Sequence, residues 1–366
     1  MGVGRFAYTP LLVVMRRDAG LSVPMAGILA SANLAGYLLG ASLAMLPALK
    51  GRGTVMIRFG VVAVAVLTAA MALPEWIWVP ARFLTGVASG IVFVLTVSIL
   101  LDHAAAHQRR AGPAIVFSGI GFGIALVGMV EPQLAGLAGS RGTWVFFGLA
   151  SFLAVPFTFD SLPRERATSR ALSSPAPKGR DTSAFWWLAV VYGVEGAVYI
   201  IPATFLVAIV TDIPSIARFA GLTWVIVGLV AVPSAIAWTA LARRIGLAPA
   251  LLTSFVAQGL ALLAPALAPG PLGVTALAVG LGATFMGISM LATSLARTYW
   301  PEKSNAAIGI MTALYGIGQI VGPLAATRVA IMTGSYRFAL PIAGAALLVP
   351  TGVFAIRLLS RRSVRA

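Results

Sequence analysis

Residues 184–210 read AFWWLAVVYGVEGAVYIIPATFLVAIV, a run of spanning length whose only charge is Glu195. As a helix rising 1.5 Å per residue it covers about 40 Å, enough to cross the ~30 Å hydrocarbon core of a bilayer. Ten further runs of comparable character lie near 24–47, 54–73, 76–101, 112–133, 142–159, 219–241, 247–268, 271–297, 304–332 and 337–359. A shorter one, Met1 to Met15, precedes them and covers about 22 Å. Its length implies either that other protein caps the helix or that the chain starts upstream of Met1. It lacks the basic first region and the cleavage site of a signal peptide.

Composition agrees with a membrane chain. Of 366 residues, 59% are hydrophobic and 10% charged, whereas soluble domains carry about a quarter charged residues. Disorder would need a polar chain, and a disulfide scaffold would need cysteine, of which there is none. The net charge of +16 follows the connections between spans rather than a soluble basic face, so it reads as membrane topology and not as nucleic-acid binding. Alternate connections hold 18 Lys and Arg on one side. Only Arg16, Arg17, Arg141, Arg218, Arg328 and Arg337 lie on the other. This bias implies an even number of spans with both termini in the cytoplasm. Twelve, counting the short first helix, meets that condition.

The longest polar stretch, 161–183, is rich in Ser, Pro and Arg and reads as a cytoplasmic linker. It divides the chain into 1–160 and 184–366. Small identities recur across it at a nearly constant offset. Gly2-Val3 returns as Gly193-Val194, Ala26-Gly27 as Ala220-Gly221, and Gly119-Ile120-Gly121 as Gly316-Ile317-Gly318. Two six-helix halves of like orientation, a parallel repeat about an axis along the membrane normal, explain all three. Gly86 and Gly90, Gly119 and Gly123, and Gly318 and Gly322 are small residues four apart, able to let a neighbouring backbone approach or to act as hinges. Pro132 and Pro323 introduce local bends.

Several stretches resemble the YbfB-type branch of the major facilitator superfamily. Gly4-Arg5-Phe6-Ala7-Tyr8-Thr9-Pro10 is similar to its first helix, and Ser31-Ala32-Asn33-Leu34-Ala35-Gly36-Tyr37 with Gly40 to its second. Glu195-Gly196 with Tyr199-Ile200-Ile201 and Ala203-Thr204-Phe205-Leu206 resembles the seventh. Tyr315-Gly316-Ile317-Gly318-Gln319 with Gly322-Pro323 resembles the eleventh. Arg82 with Gly86 and Gly90 is similar to the superfamily's fourth-helix motif. The resemblance runs from Gly2 to about Arg337. It implies an all-α integral membrane protein of twelve helices that transports a solute, with helices one and seven lining a central cavity. One departure concerns the loop between the second and third helices, which holds Lys50, Arg52 and Arg58 but no acidic partner.

A charge at the bilayer centre costs about 2.5–3.5 kcal/mol on insertion scales, so each one asks for a reason. Four do so here: Arg5, Arg82, Glu131 and Glu195. The repeat sets Glu195 one position from the equivalent of Arg5, at similar depth. Arg5 could then offer a bidentate fork to a solute. Glu195 could carry a coupled proton, since desolvation and a nearby arginine act on a carboxyl in opposite directions. The alternative is a static ion pair between the halves. Arg82 and Glu131 read as gating or structural, with Glu131 solvated near the outer end of its span or partnered to Arg82. Tyr8, Asn33, Tyr37, Tyr199, Tyr315 and Gln319 are candidates to orient a solute or to bond neighbouring helices. Trp76, Trp78, Trp144, Trp186, Trp187 and Trp300 read as interfacial anchors.

Asp102, His103 and His107 place two imidazoles one turn apart, but at a loop and without a further ligand, so no metal is expected. Nor is any cofactor, because nucleotide-binding and catalytic motifs are lacking. The sequence thus predicts a proton-coupled secondary transporter in a bacterial inner membrane, monomeric, with small solutes, protons and the bilayer as partners, and not an enzyme. An uncoupled facilitator and a non-transporting scaffold or sensor are the alternatives. Uptake and efflux both remain open.

Overall fold

The computed structural model describes residues 2–46, 52–106, 112–153, 155, 156, 158, 182–301 and 304–363. Most of the 161–183 linker, and the side chains of Asp102, His103 and His107, lie outside what is described. The described chain is helical. Its α-helices are α1 (Gly2–Phe6), α2 (Tyr8–Ala19), α3 (Val23–Ala44), α4 (Gly53–Ala69), α5 (Trp78–Ala106) and α6 (Gly112–Phe152). They continue with α7 (Thr182–Thr211), α8 (Ala220–Ile245), α9 (Leu247–Leu267), α10 (Pro271–Tyr299), α11 (Ser304–Thr333) and α12 (Ala339–Ser363).

Ten described segments are long and apolar enough to cross a membrane. One of these, 118–152, is two crossings. Gly139 breaks α6 at φ 61, a backbone conformation favoured by glycine. Ala150 and Ser151 beyond the break line the same cavity as Gly119 and Gly123 before it, so the chain has turned back. The α1–α2 pair supplies the twelfth crossing. Its break falls at Ala7 because Pro10 has no N–H and its ring crowds the carbonyl four residues earlier. The pair runs on to Ala19, past the Met15 limit read from hydropathy, since Arg16 and Arg17 stay helical until Gly20 caps the end at φ 63. That lengthens the helix pair to about 27 Å, with Arg16, Arg17 and Asp18 beyond the apolar run.

The packing repeats itself. α1 lies on α6 as α7 lies on α11. α3 lies on α5 as α8 lies on α10, and α4 on the end of α6 as α9 on α12. Two antiparallel contacts join the six-helix sets, α3 with α11 and α6 with α8. The repeated Ala-Gly pair marks both. A Cβ on Gly27 would lie 2.2 Å from Thr327 Oγ1 of α11, and one on Gly221 would lie 3.0 Å from Pro132 of α6. These are the two six-helix halves of a major facilitator fold.

Glycine carries this packing unevenly. A Cβ on Gly86 or Gly90 would meet backbone oxygens of α3 at 2.0 and 2.4 Å, and one on Gly318 or Gly322 would meet those of α7 at 2.2 Å. Gly123 meets the backbone of Gly2. Gly119 does not share this role, because open space faces it. Gly121 and Gly128 serve instead, closing on Gly228 and Val225 of α8.

Tryptophan divides likewise. Trp76 and Trp186 are exposed. Trp78 and Trp144 are buried, with their N–H groups donated to the carbonyl of Leu73 and the sulfur of Met15. They are packing residues rather than interfacial anchors.

Candidate functional site

Two guanidinium groups enter one cavity between the halves. Arg5, on α1, is 8% exposed, and Arg82, on α5, is 3% exposed. With them Tyr8, Thr9, Asn33, Ile200 and Thr204 line a space of about 20 Å³, the room of one ordered water. Each guanidinium lies over a tyrosine ring, Arg5 at 4.4 Å from the centre of Tyr37 and Arg82 at 4.6 Å from that of Tyr8. Arg5 Nη2 and Arg82 Nε are buried without a hydrogen-bond partner.

The surrounding polar groups are spent on helix contacts. Tyr8 donates its hydroxyl to the carbonyl of Ala26 at 2.9 Å, and Asn33 its amide to that of Arg82 at 2.9 Å. Thr9 donates to the carbonyl of Ala203 at 2.6 Å, across the two halves.

Glu195 occupies a separate polar cluster and forms no ion pair with Arg5. The pairs among the described residues are Arg16 with Asp212, at 4.0 Å, and Arg17 with Asp18. Glu195 is fully buried. Its Oε1 accepts from Gln258 Nε2 of α9 at 2.9 Å, while its Oε2 has no partner. Gln258 Oε1 in turn lies 2.7 Å from the hydroxyl of Thr284 on α10, which also lies 2.7 Å from the carbonyl of Gly280.

Beside this chain runs a stack of aromatic rings. Tyr192 and Tyr199, two helical turns apart on α7, sandwich Tyr315 of α11 at 4.4 and 5.6 Å, and Phe285 of α10 continues the stack beyond Tyr199 at 6.1 Å. Gln319 donates to the Tyr199 hydroxyl. Tyr37 lies within electrostatic reach of both Arg5 and Tyr199, which joins this cluster to the arginine cavity.

Glu131 departs from its sequence reading. It is 5% exposed rather than solvated, and the cation that acts on it is Arg17 rather than Arg82. The face of α6 that carries it turns into the bundle, and the helix continues past it to Gly139.

Sequence reasoning missed Gln258, Thr284, Tyr192 and Phe285. Gln258 carried a signal, as the lone amide in the apolar run of α9. So did Tyr192, which shares a helix face with Glu195 and Tyr199 at positions i, i+3 and i+7. Thr284 and Phe285 gave none, since either residue is ordinary in a membrane helix.

This arrangement of a twelve-helix bundle with buried polar groups where its halves meet defines a solute transporter of the major facilitator superfamily, not an enzyme. The family described as "Uncharacterised MFS-type transporter YbfB" matches residues 1–355, and the chain belongs to it. No curated protein matches the sequence. Among solved structures, a point mutant of the nucleoside transporter NupG is similar, with TM-score 0.72 and 16% identity over 97% of this chain and 98% of that one. The human organic anion transporter MFSD10 (TETRAN) has TM-score 0.63 and 18% identity over 96% and 97% of the two chains.

Proposed function

We propose that this protein is a proton-coupled secondary transporter of a small organic solute. It would work by alternating access, with its halves at 1–160 and 184–366 rocking about the α3–α11 and α6–α8 contacts. The observation that carries the coupling is the Glu195–Gln258–Thr284 chain. The Thr284 hydroxyl has one hydrogen and two oxygen acceptors at 2.7 Å, and a glutamine amide can turn end for end.

Two proton arrangements therefore fit the same heavy atoms. With Glu195 ionised, Thr284 donates to Gln258 Oε1 and Gln258 donates to the carboxylate. With Glu195 protonated, its hydroxyl donates to a turned Gln258, whose NH₂ donates to Thr284, which then donates to Gly280. A site able to satisfy both states suits proton exchange. The titratable groups that face Glu195 are Tyr192 and Tyr199 of its own helix and Tyr315 of α11.

The basic bias of the connections supports cytoplasmic termini and a bacterial inner membrane. The groups that bond across the halves at the opposite end, Arg16 with Asp212 and Tyr336 with the carbonyl of Val23, would then form the outer gate. The test is proton flux in everted vesicles challenged with pooled organic acids, sugars and amphiphilic drugs, wild type beside Glu195→Gln. Solute-driven proton movement in the wild type alone is the expected result. Equal solute movement in both, without protons, would make the protein an uncoupled facilitator.

A further inference from the structure

We infer that Arg5 and Arg82 together form a socket for an anionic head group, and that the transported solute is an organic carboxylate. This deepens the transport reading above and rests on it. Both side chains are more than nine-tenths buried, both line the one small cavity, and both keep an unpartnered nitrogen there. No Asp or Glu lines that cavity. The buried carboxylate of Glu195 is committed to Gln258.

Two like charges within electrostatic reach of one another, buried without a counter-ion, are costly unless an anion completes them. The tyrosine rings of Tyr37 and Tyr8 lie 4.4 and 4.6 Å from the guanidinium carbons of Arg5 and Arg82 and offset part of that cost. Arg5 Nη2 and Arg82 Nε remain for recognition. A guanidinium edge presents two parallel donors, which matches the two oxygens of a planar carboxylate.

The cavity is too small for a whole solute and accepts only its charged end. The body of the solute would extend past Tyr37 toward Tyr199 and the aromatic stack, which favours a flat or apolar body. Arg82 thereby becomes a binding residue, where the sequence had suggested gating.

The assay is thermal unfolding of the purified protein in nanodiscs, which needs no gradient and so separates this inference from coupling. Acetate, pyruvate and benzoate are each compared with their neutral amides at constant ionic strength, with inorganic phosphate as a further anion. At least one carboxylate should raise the melting temperature while its amide does not. Arg5→Gln and Arg82→Gln should each weaken its apparent affinity by at least about tenfold, as loss of a charged hydrogen-bond partner does. Arg5→Lys and Arg82→Lys keep the charge without the fork and should bind with intermediate strength.

The inference is overturned if amides act as well as carboxylates, if phosphate alone stabilises, if no carboxylate acts, or if Arg82→Gln leaves the carboxylate effect intact. The wild-type comparison of acid with amide decides the matter even if a variant fails to fold. Loss of proton coupling with carboxylate binding retained would sink only the coupling reading.

Discussion

Gln258 donates to one oxygen of the Glu195 carboxyl across 2.9 Å, joining α9 to α7, and leaves the other oxygen unpartnered. The bond lies wholly within the second half of the chain. Glu195 can therefore keep its bond to Gln258 in one proton state or the other without any group from the first half. Arg5 acts on this cluster only at a distance, through Tyr199 and Tyr37.

The amide should consequently matter to coupling more than to solute binding. Gln258→Leu strips Glu195 of its hydrogen bond, and Thr284→Val removes the hydroxyl that Gln258 leans on. Leaving a buried polar group unsatisfied costs about 1–3 kcal/mol, which is roughly a tenfold effect or more. Solute-driven proton flux should fall by about that factor in either variant, while solute exchange at equal pH on both sides persists. Parallel loss of both activities would instead mark the pair as structural.

Glycine positions give a paired prediction about stability. A Cβ on Gly318 would sit 2.2 Å from the carbonyl oxygen of Gly193, backbone that cannot swing aside. Gly318→Ala should destabilise the protein by about 1–3 kcal/mol, the usual cost of overpacking. Gly119→Ala adds its methyl to open space and should leave the melting temperature close to wild type. Detergent-solubilised protein melted by tryptophan fluorescence checks both, and equal losses would contradict the packing described.

Much of the fold was legible because a bilayer imposes a length on apolar runs, and the eleven clear runs needed no tertiary information. The repeat was legible because close helix approach demands glycine: Gly27 and Gly221 recur where equivalent helix pairs touch, against Thr327 and Pro132. The turn at Gly139 was read as a loop between spans, yet helix persists on both sides of it. Hydropathy cannot distinguish a polar loop from a helix end that still pairs its backbone. The site was legible only where a residue type is costly. Arg5, Arg82 and Glu195 announced themselves by charge. Whether Arg5 met Glu195 depended on helix rotation and rotamer, which a small-residue repeat does not specify. Glu131 misled for the same reason, since distance along the helix gave its depth but not the face it occupies.

Asp18 offers a pH test at the end of the bundle. Its Oδ2 accepts from the backbone N–H of Ser140 at 2.9 Å, where the second limb of α6 begins, and its Oδ1 from Arg17 Nε at 2.7 Å. The hydrogen bond from Arg17, helped by that from Ser140, holds the Asp18 carboxyl below its ordinary value. A depressed folded value means that the stabilisation is present above the unfolded value of about 3.9 and disappears as pH falls through the folded one. Asp18→Asn should therefore lower the melting temperature by a constant amount at neutral pH. The wild type should converge on the variant as the medium is acidified below about pH 4. A difference that persists undiminished at the lowest accessible pH would mean that the charge plays no part.

The contact between α3 and α11 can be locked to ask whether the halves must move. Gly27 and Thr327 face each other so closely that a Cβ on Gly27 would lie 3.0 Å from the Cβ of Thr327. Disulfides need about 3.5–4.5 Å between these atoms, so a small separation of the helices brings a cysteine pair into range. The chain contains no cysteine of its own, and any cross-link formed must be the introduced one. Gly27→Cys with Thr327→Cys should join under mild oxidation, detectable by cleaving the linker with an inserted protease site and asking whether the halves stay together. If the halves rock apart at this contact during each cycle, solute flux should stop on oxidation and return on reduction. Flux that continues through a fully cross-linked sample would show that the helices stay together at this contact through the cycle, as a pivot does, and that the parting occurs elsewhere.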